Sequence, residues 1–183
     1  EISECLVGSE MCIRDRSEKA MELIGRSIRA YVAERSNLEA ASDMLAGSLF
    51  AGIAFSWARL GNIHAMSHPV SAFYNVPHGV ANGILFPYIV KYNEEAAFQK
   101  YQKIYHYISP EKKNASEFSK GMLEQAVREL NTQVGIPAKL SDAGVTDEHF
   151  SQMTDDAMKS GNIAVNPWKT GWEDILALYK EAL

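Results

Sequence analysis

At 183 residues, with 46% hydrophobic and 22% charged side chains, the chain is long enough for one domain with a sizeable core. A formal net charge of -5 and no run of Lys and Arg exclude the basic stripe that nucleic-acid binding needs. The longest apolar stretches, such as residues 44–58, fall short of the roughly 18 uninterrupted apolar residues of a membrane span. A soluble, cytoplasmic-type protein with neither nucleic-acid nor membrane partner is expected.

Both cysteines, Cys5 and Cys12, lie in the first 16 residues, so no disulfide framework is expected in the body of the chain. Residues 1–16 have no basic start leading into an apolar core and are not a signal peptide. They also show no clear helical or strand period. The stretch Cys5-Leu-Val-Gly-Ser-Glu-Met-Cys-Ile-Arg-Asp-Arg16 resembles translated sequencing-adaptor DNA, and residues 1–16 are read as a non-native leader. The alternative is a poorly ordered native terminus.

From Ser17 onward the pattern is helix after helix. Met21, Ile24, Ile28, Tyr31 and Val32 recur at three- and four-residue spacing, which makes one apolar helix face. Ser36-Asn-Leu-Glu39 reads as a capping box with Ser36 as N-cap. The helix it opens runs to about Leu60, stops at Gly61-Asn62, and is apolar nearly all round. With Gly47, Gly52 and several alanines permitting close approach, it reads as the central helix of a bundle. His64 begins a stretch to Tyr74 that Pro69 should kink. Residues 77–92 read as a helix with Pro77 in its first turn, and residues 94–108 as the next, ending before Pro110. Residues 116–134 are amphipathic through Phe118, Met122, Leu123, Ala126, Val127, Leu130 and Val134, and stop at Gly135. Residues 146–159 form a shorter helix ending at Gly161. Thr170-Gly-Trp-Glu173 reads as a capping box for the last helix. Nothing alternates with period two over a useful length. The fold class expected is all-α, one multi-helix bundle over residues 17–183.

Three of the five histidines, His64, His68 and His78, fall within fifteen residues. Imidazole is the commonest metal ligand and moves protons near neutral pH. Spacing alone pairs His64 with His68, one helical turn apart on one face. The bland reading of the same residues is a set of packed core histidines with satisfied hydrogen bonds. His106 and His149 are expected on solvated faces, and Asp142, Asp147, Asp155 and Asp156 as caps and surface charge. Phe73 and Tyr74, beside the expected kink, read as core or as pocket lining. Asn82 reads equally as a hydrogen-bonding neighbour of the histidines and as a packing residue.

The run Gly61-Asn-Ile-His64-Ala-Met-Ser-His68-Pro-Val-Ser-Ala-Phe-Tyr-Asn-Val-Pro77-His78-Gly79-Val-Ala81-Asn82-Gly83 is similar to the signature of iron-containing (group III) alcohol dehydrogenases. The likeness continues at Leu85, Pro87, Tyr92-Asn93, Val134-Gly-Ile-Pro137, Gly161-Asn162, Asn166-Pro167 and Glu173-Asp-Ile175, and so covers residues 17–183. It implies the helical C-terminal domain of the dehydroquinate synthase-like fold. It implies His64 and His78 as metal ligands, contrary to the pairing that spacing favours. It implies His68 as the catalytic histidine beside the metal, near the nicotinamide and the substrate, relaying or positioning a proton. The implied cofactors are Fe(II), sometimes Zn(II), and NAD or NADP in the full-length enzyme. The implied substrates are short primary alcohols or aldehydes, and a homo-oligomer is expected.

Two departures from the family pattern stand out. No Asp-x-x-x-His pair, the source of the other two metal ligands, precedes His64, and the Gly-Gly-Gly-Ser phosphate loop with its α/β nucleotide domain is absent. The expectation is an N-terminally truncated chain, inactive alone, with bare apolar surface that favours aggregation or self-pairing. Trp168 stands where relatives commonly carry Arg, and reads as packed on the last helix. A glycerol dehydrogenase-like or maleylacetate reductase-like fragment is the alternative within the superfamily, although Pro77-His78-Gly79-Val-Ala-Asn82 favours the alcohol dehydrogenase branch. A non-catalytic helical metal-binding module is the alternative from another class.

Overall fold

The computed structural model describes residues 2–109 and 118–183, with side chains from residue 13 onward. Among the described residues there is no strand, and seven α-helices carry the fold. They are α1 (Ile2–Ala33), α2 (Leu38–Ala58), α3 (Gly61–Tyr74), α4 (His78–Ile108), α5 (Met122–Val134), α6 (Phe150–Lys159) and α7 (Trp172–Ala182). The all-α expectation holds. The helix boundaries differ from expectation in instructive ways, and the contacts divide the chain into two compact units.

The first unit takes residues up to Arg59 together with the segment from Ile104. Helix α1 begins at Ile2, so residues 2–16, which show no clear period in the sequence, are helical; the side chains of Cys5 and Cys12 lie outside the described residues. A helix that is not amphipathic leaves no periodic trace. The N-cap of α2 is Asn37, not Ser36: the Asn37 carboxamide accepts from the Ala40 amide at 3.0 Å, while Ser36 Oγ turns back to Glu34. Helices α1 and α2 pack as a hairpin, with Gly47 against Ala20 and Ile24; a Cβ on Gly47 would lie 2.7 Å from Ile24 Cγ1. Gly25 lets α1 approach the end of α4 still more closely, since its Cβ would fall 2.1 Å from the Tyr107 carbonyl oxygen. Asp43 ties the pair together, accepting from Ser27 Oγ at 2.5 Å and from the Arg26 guanidinium at 2.7 Å.

Helix α2 is not the buried central helix that its composition predicts. Only Ala40, Gly47 and Ala54 are buried, whereas Leu45 is 73% and Trp57 76% exposed. Gly47 faces α1, and the large apolar side chains are exposed. By length and composition alone this 21-residue helix could cross a membrane, although only 17% of its apolar window is buried. That differs from the sequence expectation because Ser, Gly and Asp43 interrupt the run without lowering its average hydropathy enough. The helix also ends earlier than expected. Arg59, at φ 61°, closes it, and Gly61, at φ 66°, opens α3 instead of ending α2.

The second unit, residues 60–103 and 116–183, holds the main core. Met66 and Val70 of α3, Ile84 and Leu85 of α4, Met153 of α6 and Ile175 and Tyr179 of α7 are fully buried together. Each such side chain is worth roughly 1.5–3 kcal/mol of apolar burial. The Tyr179 hydroxyl donates to the Met66 carbonyl at 2.7 Å, which ties α7 to α3 at the depth of the core. Pro69 sits inside α3 without ending it. The helices expected at 77–92 and 94–108 are one continuous α4 that passes through Pro87. The expected start of the next helix at Ser116 lies outside the described residues; α5 starts at Met122, with Gly121 as N-cap at φ 81°. Gly135 closes α5 as expected, at φ 78°. Residues 147–149 form a short 3-10 turn ahead of α6. The N-cap of α7 is Gly171, whose amide donates to Asp174 at 2.8 Å; Thr170, expected in that role, points elsewhere.

Candidate metal centre

The start of α3 is held by a polar network rather than by a capping side chain of its own. The Leu60 amide donates to Asn162 Oδ1 and the Asn62 amide to Asn166 Oδ1, both at 3.3 Å. Asn62, fully buried, donates from Nδ2 to Thr170 Oγ1 at 2.8 Å. Asn166 and Asn93 exchange paired amide bonds at 2.7 and 3.1 Å. Gly61 is needed here twice, for its positive φ and because a Cβ would come within 3.3 Å of Asn166 Oδ1. Three separate pieces of sequence, Tyr92-Asn93, Gly161-Asn162 and Asn166-Pro167, therefore fix the point from which His64 projects.

At the other end of α3, Asn75 takes a left-handed conformation, φ 54°, which Asn tolerates better than most residues. Val76 then turns into the core, and the Pro77 carbonyl accepts the amides of Val80 and Ala81. Proline at this place costs no helical hydrogen bond and presets φ. The result is that α4 begins at His78, directly against the face of α3 that carries His64 and His68.

The three imidazoles converge. Ring centroids are 5.0 Å apart for His64 and His78, 5.1 Å for His68 and His78, and 6.0 Å for His64 and His68. One nitrogen from each lies within 4.8 Å of the others, and among the described residues no carboxylate or thiol joins the group. His64 Nδ1 is 3.1 Å from His78 Nε2. Burial first, then the neighbouring His78 and His68, press the His64 pKa down to about 4; burial and His68 lower that of His78. In both rings the shift favours the neutral imidazole, the form that ligates metal.

The donor set fits a transition metal. Two nitrogens bound to one ion at about 2.0–2.1 Å each lie roughly 3 Å apart when they are adjacent ligands, close to the spacing of His64 and His78 here. Neutral imidazole is a ligand of intermediate softness that suits iron and zinc. The pairing that spacing alone favours, His64 with His68, is the widest of the three.

The matching family model, described as the Fe-containing alcohol dehydrogenase family, C-terminal, covers residues 10–183. The chain belongs to the iron-containing alcohol dehydrogenases. It is 37% identical over 165 residues to 1,3-propanediol dehydrogenase of Citrobacter freundii, an alignment that takes in 90% of this chain and 43% of that protein. Lactaldehyde reductase of Escherichia coli (strain K12) is 38% identical over 165 residues, again 90% of this chain and 43% of the relative. The alcohol dehydrogenase of Oenococcus oeni superposes with a TM-score of 0.85 at 33% identity, over 93% of this chain and 45% of that one. The chain thus spans less than half the length of the relatives it matches.

Other residues of this iron-containing alcohol dehydrogenase domain fall differently from expectation. His149, expected on a solvated face, is half-buried, its ring 5.1 Å from that of Phe73 and 5.8 Å from that of Tyr74. Phe73 is partly exposed, and Tyr74 spends its hydroxyl on the Thr146 carbonyl at 2.8 Å. His106 is half-buried as well, with a buried Nδ1 that has no partner. Trp168 is 47% exposed, and its carbonyl accepts from Asn166 and Thr170. Asn82 is a neighbour of the histidines: its Nδ2 lies 3.0 Å from His78 Nε2. Ser67 carries no motif of its own in the sequence, yet its fully buried hydroxyl lies 3.4 Å from His78 Nδ1. Its only trace is position, three residues after His64 on a helix.

Proposed function

We propose that these residues form the metal-binding half of an NAD(P)-linked oxidoreductase that interconverts short primary alcohols and aldehydes. His64 and His78 supply two of the protein ligands to Fe(II), or Zn(II) in its place. The observation that carries the reading is the 3.1 Å approach of His64 Nδ1 to His78 Nε2, two neutral imidazoles brought from different helices to one point. Held there, such a metal would supply Lewis acidity toward an alcohol or carbonyl oxygen, and a bound nicotinamide would supply the hydride chemistry.

This chain's own residues have narrower tasks. Held neutral, His64 and His78 present lone pairs without first losing a proton. His68, exposed like His78, stacks on it with the ring planes 28° apart. There it overlooks the same point without being needed as a ligand, and a ring nitrogen takes up or returns the hydroxyl proton of the substrate. The relatives named for 1,3-propanediol and lactaldehyde favour a short substrate with few carbons. Two of four family ligands and no phosphate loop lie within these 183 residues, so by themselves they are proposed not to turn over alcohol.

Titration with Zn(II), and with Fe(II) under anaerobic conditions, tests the reading. One ion per chain, lost in both His64→Ala and His78→Ala, is expected. A chain that binds neither ion, or whose binding survives both substitutions, overturns it.

A further inference from the structure

His78 is gripped at both ring nitrogens. Asn82 Nδ2, one turn along α4, lies 3.0 Å from His78 Nε2. A carboxamide nitrogen only donates, so Nε2 is the lone-pair nitrogen of the ring. The ring proton is then on Nδ1. The atom facing Nδ1 is Ser67 Oγ, at 3.4 Å, on a side chain that is fully buried beneath the cluster. The same hydroxyl points its own proton at the His64 carbonyl, also at 3.4 Å, so its lone pairs are free to accept. The direction of each bond in the chain follows: Asn82 to His78 Nε2, His78 Nδ1 to Ser67, and Ser67 to the His64 backbone.

We propose that Ser67 is the positioning residue of the metal centre: it keeps the His78 proton on Nδ1, and so keeps the Nε2 lone pair turned toward His64. Metal-ligating histidines are regularly fixed through their second nitrogen, and loss of such a partner costs about 10–100-fold in metal affinity. Here the partner is a neutral hydroxyl on the same helix as His64. One side chain therefore ties the ring of one ligand to the backbone of the other, and the two nitrogens keep their spacing when either helix shifts. The inference rests on the reading of His64 and His78 as ligands, but the tautomer it predicts exists without metal.

The test uses the 183-residue chain and two readouts. Long-range 15N–1H spectra of the metal-free chain, with the His78 signals assigned by their loss in His78→Gln, are expected to show a protonated Nδ1 and an unprotonated Nε2. In Ser67→Ala the His78 proton is expected to redistribute toward Nε2, and Zn(II) affinity to fall about 10–100-fold while the thermal midpoint stays within a few degrees. Ser67→Thr, which keeps the hydroxyl, should restore both; where threonine does not fit the buried position, Ser67→Cys should restore them in part. A wild-type His78 protonated on Nε2, or a Ser67→Ala chain with unchanged tautomer and unchanged affinity, overturns the proposal. If the tautomer moves in Ser67→Ala but the wild-type chain binds no metal, the role of Ser67 stands and the metal reading falls.

Discussion

His78 Nε2 lies 3.1 Å from His64 Nδ1, although fourteen residues and the whole remainder of α3 separate the two histidines along the chain. The contact is made because Asn75 and Pro77 turn the chain sharply enough for α4 to start against the middle of α3. His68, one helical turn from His64 on the same helix, is farther from it in ring position than His78 is.

A hierarchy among the three histidines follows. His64→Ala and His78→Ala should each weaken Zn(II) binding by more than about 100-fold, beyond what loss of a supporting residue costs. His68→Ala should change it by less than about tenfold. Equilibrium dialysis of the three variants checks the order; a His68→Ala chain that binds as poorly as His64→Ala would place His68 among the ligands.

Gly25 tests the packing of the first unit. An alanine in a helix interior normally gains about 1 kcal/mol over glycine. Here the added methyl would fall 2.1 Å from the Tyr107 carbonyl oxygen, which is backbone and cannot rotate away. The clash outweighs the propensity, and Gly25→Ala should destabilise the chain by about 1–3 kcal/mol. Urea unfolding followed by circular dichroism measures the difference, with Gly52→Ala as the control because its Cβ meets nothing within 4 Å.

Asp43 makes the same unit sensitive to acid. The hydrogen bond from Ser27, and then those from Arg26, lower its pKa below the ordinary 3.8. The folded chain therefore binds fewer protons than the unfolded one as the pH approaches that range. The stability it contributes is present above about pH 3.8 and is lost as pH falls through the lower folded value. Thermal midpoints measured between pH 6 and 3 should fall less steeply in Asp43→Asn than in the wild type. Asp43→Ala, which strands the buried Ser27 hydroxyl, should also cost about 1–3 kcal/mol at neutral pH.

The large apolar side chains of α2 predict poor solubility of the isolated chain. Leu45 and Leu49, one turn apart, are 73% and 63% exposed. Contiguous apolar surface of this kind drives association. Leu45→Gln/Leu49→Gln should raise the concentration at which light scattering begins by severalfold, with helix content unchanged. Equal scattering by both chains would show that the face is not responsible.

Helix content and the family likeness were legible along the sequence because both are local. The 3.6-residue period announces an amphipathic helix such as α5, and the run from Gly61 to Gly83 carries its likeness to iron-containing alcohol dehydrogenases in consecutive residues. Gly135 as the end of α5 was readable for the same reason, since a left-handed residue needs only its own φ. The burial of α2 was not readable. A helix apolar all round has no face to predict from, and only the burial of Ala40, Gly47 and Ala54 shows which side is covered. Nor were the caps, where Asn37 and Gly171 displaced their neighbours Ser36 and Thr170 by one position. Thr170 was drawn instead into the network around Asn62, a bond across 108 residues.

By itself, then, the sequence determined that the chain is helical and which family it resembles, and it singled out three histidines as candidates. Tertiary structure decided that His64 meets His78 more closely than His68, that Asn166 holds the start of α3, and that Ser67 lies under the ring of His78. The physical reason is range. Periodicity and motifs record what neighbours along the chain do, whereas hydrogen-bond direction, burial and the convergence of imidazoles depend on which helices the core brings together.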